Sequence, residues 1–228
     1  MAKINDPLFH IGHRERLRQK RRDGKATNSE MLELVLCNAI PRRDLRPLAR
    51  NLMHTYGGIH QILAAPEQEL CKFPGMGPSS ASLMKDIYEL MKLAYEEVLR
   101  KTTIFHDEKV LHNYCRTIMI NKTVEEFHAF YLDENHRLLK DIKHSSGDTT
   151  WSPVSRADVV RAAVELKAKY VVLLHNHPNS CVSQFSRQDQ DITLEIRDML
   201  KPFGIGLLDH ILIVNDFAYS ALNQGLLQ

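Results

Sequence analysis

Two histidines stand two residues apart in His175-Asn176-His177-Pro178, directly after the apolar, β-branched run Tyr170 to Leu174. That run has the length and composition of a buried strand. Side chains at i and i+2 of a strand share a face, roughly 7 Å apart along the chain. Both imidazoles can therefore turn toward one ion while Asn176 faces away. Pro178 cannot continue a ladder, so the pair sits at the strand's exit, within reach of solvent and substrate. The next element opens with Ser186-Arg187-Gln188-Asp189, and Asp189 offers an oxygen as third ligand, with Asp191 as the alternative. Two nitrogens and one oxygen leave the fourth tetrahedral position of zinc open for water, as in a catalytic site. A bare His-x-His is a weak signal, and Ser186-x-x-Asp189 is a helix capping box in its own right. The string His-Asn-His does not indicate an HNH nuclease, whose residues are dispersed along the chain.

The elements that must carry these residues follow from periodicity. Ser155 to Lys167 is helical in pattern, with Val159, Val160, Ala163 and Leu166 on one side, and a second helix runs from about Ser186 to Leu200. Phe127 to Leu132 reads as a strand, Asp133 to His136 as a hairpin turn, Leu138 to Ile142 as the return strand, and Gly206 to Val214 as a closing strand. Strands alternating with helices predict an α/β domain over residues 101–228. Residues 1–100 read as all-α. A helix begins at Met31 with Ser29 as its cap and ends at Pro41. Leu45 to Tyr56 is a second, closed by Gly57-Gly58, and Ile59 to Ala65 a third. Glu67 to Phe73 then leads into Pro74-Gly75-Met76-Gly77-Pro78, followed by a long helix from Ser79 to about Leu99.

Phe73-Pro74-Gly75-Met76-Gly77 before this long helix resembles a helix–hairpin–helix. Backbone N–H groups at Gly75, Met76 and Gly77, with the following helix N-terminus, can hold a DNA phosphate without reading sequence. The same unit also serves as a plain protein-contact scaffold. Leu174-His175-Asn176-His177-Pro178 with Ser186-x-x-Asp189 resembles the RadC family, a bacterial branch of the JAMM (MPN-type) metalloprotease fold. Glu125-Glu126-Phe127 through Leu132-Asp133, Gly147 through Arg156, and Leu208-Asp209-His210-Ile211 through Ser220 extend the likeness. It covers the chain from about Arg14 to Leu227. After the proline this chain has Asn179-Ser180-Cys181 where the family has Ser-Gly, and its interval from His177 to Ser186 is longer by one residue. The resemblance implies a JAMM/MPN-like, cytidine-deaminase-like sandwich behind a helix–hairpin–helix domain. It implies Glu125 as the general base, with Glu126 as the neighbouring alternative; strand alternation lets only one face the metal. It also implies Ser186 as a donor to the oxyanion, and amide hydrolysis as the reaction.

Bulk properties narrow the remaining classes. The net charge of +2 provides no global field for nucleic acid. A local block is available: His13, Arg14, Arg16, Arg18, Lys20, Arg21, Arg22 and Lys25, a solvated face, a flexible arm or a phosphate contact. Cys37, Cys71, Cys115 and Cys181 show no C-x-x-C pairing and read as reduced thiols. No stretch is long and apolar enough for a membrane span, and the first residues lack a signal peptide's apolar core, so a cytoplasmic protein is expected. The zinc deaminase signature is absent. His210 reads as a core histidine paired to a neighbour, and Trp151 as either a packing residue or an exposed contact. Two functions remain: a zinc-dependent hydrolase with a peptide or protein substrate and sequence-independent DNA binding, or a DNA-associated scaffold whose zinc is structural or vestigial.

Overall fold

A computed structural model describes residues 7–103, 108–146, 154–178, 180–215 and 217–227. Trp151, Asn179 and the Gly147 end of the segment leading to Arg156 lie outside the described residues. The chain divides into two compact units, Met1–Leu90 and Met91–Gln228.

The first unit is helical: α1 (Pro7–Arg22), α2 (Asn28–Ala39), α3 (Arg46–Tyr56), α4 (Ile59–Ala64), α5 (Glu67–Leu70) and the start of α6 (Pro78–Lys101). Leu32, Leu36, Leu52, Ile62, Leu70 and Met84 are buried in it. The basic block is not a loose arm but the helix α1, whose Leu17 is buried. Its charges are partly answered: Arg18 and Arg22 pair with Glu15, Lys20 with Glu30, and His13 with the buried Glu33 at 2.8 Å. The cap of α2 is Thr27, not Ser29. Thr27 Oγ1 accepts from the Glu30 N–H, and the Glu30 carboxylate accepts from the Thr27 N–H, which places Ser29 inside the first turn. Gly57, at φ 80, closes α3 in the left-handed conformation that a side chain would disfavour.

The second unit is a five-stranded mixed sheet in the order β2-β1-β3-β4-β5. Its strands are β1 (Glu126–Leu132), β2 (Leu138–Ser146), β3 (Tyr170–Asn176), β4 (Gly206–Val214) and β5 (Phe217–Ser220). Only β3 and β4 pair in parallel, joined through the helix α9 (Arg187–Leu200), while α8 (Arg156–Glu165) lies between β2 and β3 in sequence. One face of the sheet, with Ala129, Tyr131, Val171 and Leu173, packs on α8 and α9 through Val159, Ala163, Ile192 and Ile196. The other face, with Phe130, Leu132, Val172 and Leu174, packs on α7 (Glu108–Met119) through Leu111, Tyr114, Cys115 and Met119, joined by Leu99 of α6. Burial on both faces accounts for the unbroken apolar run of β3. The helix α7 and strand β5 extend the expected set of elements, and β2 runs on to Ser146.

No described helix is long and apolar enough to cross a membrane, and all four cysteines are free thiols. Leu173 is fully buried at the centre of the sheet. Leu173→Ala should lower unfolding stability by about 2–5 kcal/mol, read from urea denaturation followed by circular dichroism.

Candidate metal centre

The site forms where β3 ends and α9 begins. The His177 N–H donates to the Ile213 carbonyl at 3.0 Å, so the backbone stays tied to β4 for one residue beyond β3 before Pro178. Ser186 caps α9, and its box with Asp189 is complete: Ser186 Oγ accepts from the Asp189 N–H at 3.1 Å, while Asp189 Oδ2 accepts from the Ser186 N–H at 2.8 Å. The capping role of Asp189 and its approach to the histidines therefore coexist. Asp189 Oδ1 lies 3.3 Å from His175 Nε2, and Oδ2 lies 3.4 Å from His177 Nε2. The two Nε2 atoms are 3.2 Å apart. Asp191 is exposed and outside this group.

These distances fit a metal. Bonds of about 2.0–2.1 Å to a tetrahedral zinc place neighbouring ligand atoms roughly 3.3 Å apart. Two imidazole lone pairs and a carboxylate oxygen this close repel one another unless a cation or a proton lies among them. The Asp189 carboxylate holds the His177 imidazole above its usual pKa against the effect of burial, with the charge of Glu125 adding to the shift. Burial would push Asp189 up, yet the neighbouring His175 and His177 imidazoles and the hydrogen bond from Ser186 hold it well below the usual carboxylate range.

The group opens into a cavity of about 430 Å³, whose lining includes Glu125, Phe127, Ser145, Arg156, Gln188 and Pro178. Strand alternation separates the two glutamates. Phe127 is the register partner of His175, so Glu125 falls on the histidine face and Glu126 on the other. Glu125 is exposed at the cavity rim. Glu126 is buried and engaged: Lys122 Nζ reaches it at 3.1 Å, Lys143 Nζ at 3.7 Å and His128 Nε2 at 3.4 Å. Burial opposes ionisation of Glu126, but Lys122 foremost outweighs it and lowers the pKa. Asn176 turns away from the histidines, as the alternation requires. Its Oδ1 accepts from the Glu126 N–H at 2.8 Å and its Nδ2 donates to the Val124 carbonyl at 3.2 Å, gripping the backbone on both sides of Glu125. Sequence reasoning did not find that role, and only the position of Asn176 between two ligand candidates could have signalled it.

Ser186 stands at the cavity with its hydroxyl donating to Asp189 Oδ2 at 2.6 Å. Behind His175, the fully buried His210 places Nε2 2.8 Å from His175 Nδ1, and Thr193 Oγ1 lies 2.6 Å from His210 Nδ1. Burial keeps His210 neutral, well below its usual pKa. Phe127 and Phe185 flank both rings, with Phe185 centred 5.8 Å from His175 and 5.1 Å from His210. Gly75, Met76 and Gly77 belong to the other unit. They lie in the turn between α5, a single turn of helix, and α6.

Residues 105–226 match the family described as the RadC-like JAB domain. A UPF0758 protein from Ruegeria pomeroyi is 33% identical over 225 residues, spanning 97% of this chain and all of the relative.

The depressed pKa of Glu126 gives a signed expectation. Its stabilising contribution is full above the unfolded carboxylate's pKa and is lost as pH falls through the lower folded value. Glu126→Gln should cost about 1–2 kcal/mol at neutral pH. The gap to the parent should close on acidification, as urea melts across pH would record; a gap independent of pH would contradict the assignment.

Proposed function

The chain belongs to the RadC family through its JAB domain, and on that premise we propose that it is a zinc-dependent hydrolase of peptide or isopeptide bonds. The observation that carries the reading is the convergence of His175, His177 and Asp189, at 3.2 to 3.4 Å from one another, on an open cavity with Glu125 at its rim. Zinc held by these three residues would supply Lewis acidity sufficient to make water a nucleophile at neutral pH.

Glu125 takes a proton from the attacking water and returns it to the departing amine, a shuttle that requires an ionised, solvent-accessible carboxylate facing the site. Ser186 stabilises the oxyanion of the tetrahedral intermediate once its hydroxyl rotates from Asp189 Oδ2 toward the substrate carbonyl. Phe127 and Phe185 exclude water from the inner side of the histidines. Among the described residues the group that could hold a metal has three members and opens on a cavity, an arrangement that suits a catalytic site.

Purified protein should hold about one zinc per chain, and His175→Ala with His177→Ala should abolish it, measured by elemental analysis. Glu125→Gln should keep the zinc and lose amide-bond cleavage by at least about 100-fold. Zinc retained in a parent with no cleavage would instead support a structural site on a scaffold protein.

For the helical unit we propose a sequence-independent contact with DNA phosphates at the turn Gly75-Met76-Gly77. Gly75 has φ +100, a conformation that favours glycine, and the turn delivers the chain into α6. The Met76 N–H is taken by the Phe73 carbonyl at 2.9 Å, the Gly77 N–H by Ser80 Oγ at 2.9 Å, and Pro78 has none, so of the expected donors Gly75 stays in the proposal and Ser79 joins it. A Cβ at Gly77 would meet nothing within 4 Å, so Gly77→Glu leaves the fold intact while placing a negative charge at the turn. It should weaken binding of a random duplex several-fold in fluorescence anisotropy at low salt. Unchanged binding would reject the contact.

A further inference from the structure

A line of hydrogen bonds runs behind the metal group and has only one consistent direction. It starts at the backbone carbonyl of Asp189, which can only accept. Thr193 Oγ1 lies 2.5 Å from that carbonyl, so the hydroxyl gives its single hydrogen there. Toward His210 Nδ1, at 2.6 Å, the same oxygen therefore presents a lone pair, and Nδ1 must carry a hydrogen. His210 is fully buried and its two ring nitrogens face Thr193 and His175 and not a carboxylate, so its ring is neutral and its Nε2 is an acceptor. His175 Nδ1, 2.8 Å away, must then be an N–H, which leaves His175 Nε2 bare. That bare nitrogen is the one facing His177 Nε2 and Asp189 Oδ1.

We propose that Thr193 and His210 are positioning residues that lock His175 in its Nδ1–H tautomer and so hold the Nε2 lone pair ready for a metal. The identity of the ion rests on the zinc reading above; the tautomer does not. A ring nitrogen's protonation is set by the partner of the other nitrogen, and here that partner is itself fixed by a hydroxyl and a peptide carbonyl. The arrangement is closed on itself. Asp189 supplies an oxygen from its side chain, and through its own carbonyl it orients the nitrogen of a second ligand. Thr193 lies one helical turn after Asp189 on α9, so the capped helix controls both.

The test uses the metal-free full chain and two variants. Thr193→Val removes the hydroxyl at nearly constant volume, and Thr193→Ser keeps it. Nitrogen-15 NMR of the histidine rings should show His175 as the Nδ1–H tautomer in the parent and in Thr193→Ser, and a mixture in Thr193→Val. Zinc affinity, measured by competition with a chromophoric chelator, should fall about 10-fold in Thr193→Val and stay near the parent's in Thr193→Ser. A parent with the hydrogen on His175 Nε2 would overturn the proposal, as would a folded Thr193→Val chain with unchanged tautomer and zinc affinity. Should Thr193→Val fail to fold, the parent's own tautomer still decides. A parent that takes up no zinc would overturn the metal reading alone, because the NMR signal is recorded without metal.

Discussion

The antiparallel pairing of β1 with β3 is the constraint on which the site depends. Its register sets Phe127 opposite His175. The pleat then decides which side chains can meet: His175 and the preceding Glu125 on one face, Asn176 and Glu126 on the other. A slip of one residue in β1 would turn the Glu126 side chain to the histidine face and bury Phe127 against α7. What opposes that slip is the apolar pattern of both strands, each face being packed under helices. The Asn176 amide pins the start of β1 where the ladder alone would fray.

The second constraint is the beginning of α9. A helix start needs acceptors for its free N–H groups, and Asp189 meets that need while bringing negative charge toward two imidazoles. One carboxylate thus accepts from both the Ser186 N–H and the Ser186 hydroxyl while its oxygens lie 3.3 Å from His175 Nε2 and 3.4 Å from His177 Nε2. Such sharing fixes the oxygen positions without a dedicated supporting residue. Burial of the surrounding rings by Phe127 and Phe185 then keeps competing water from the inner side.

Much of this was legible in the sequence because the signals were local. The apolar run Tyr170 to Leu174, the His-x-His pair and the Ser-x-x-Asp interval each lie within a few residues. The regular elements from β1 through β4 follow from ordinary periodicity. The helix α1 was hidden by its composition: few apolar residues interrupt its charges, and among its described side chains Leu17 is the buried one. In α7 the apolar spacing Leu111, Tyr114, Cys115, Met119 is present in the sequence, but it directly follows the change from helical to α/β pattern, which masks it. The N-cap of α2 went to Ser29 because Thr27 and Ser29 are equally good cap types; only the Glu30 partner distinguishes them. The choice between Glu125 and Glu126, and the link from Thr193 to His175, depend on which strands and helices neighbour one another. Spacing along the chain carries no information about that.

One consequence concerns the stretch from Ser180 to Phe185, between the two histidines' strand and the cap of α9. His177 is fastened to β4 through its own N–H, and Asp189 to Ser186 through the box that starts its helix. Neither anchorage passes through the intervening backbone. The residues from Ser180 to Gln184 can therefore change without moving either anchor, provided Phe185 keeps its place beside the His175 and His210 rings. The geometry of the three metal-facing side chains and the make-up of the loop between them are thereby lodged in separate segments of the chain, so one can stay fixed while the other varies.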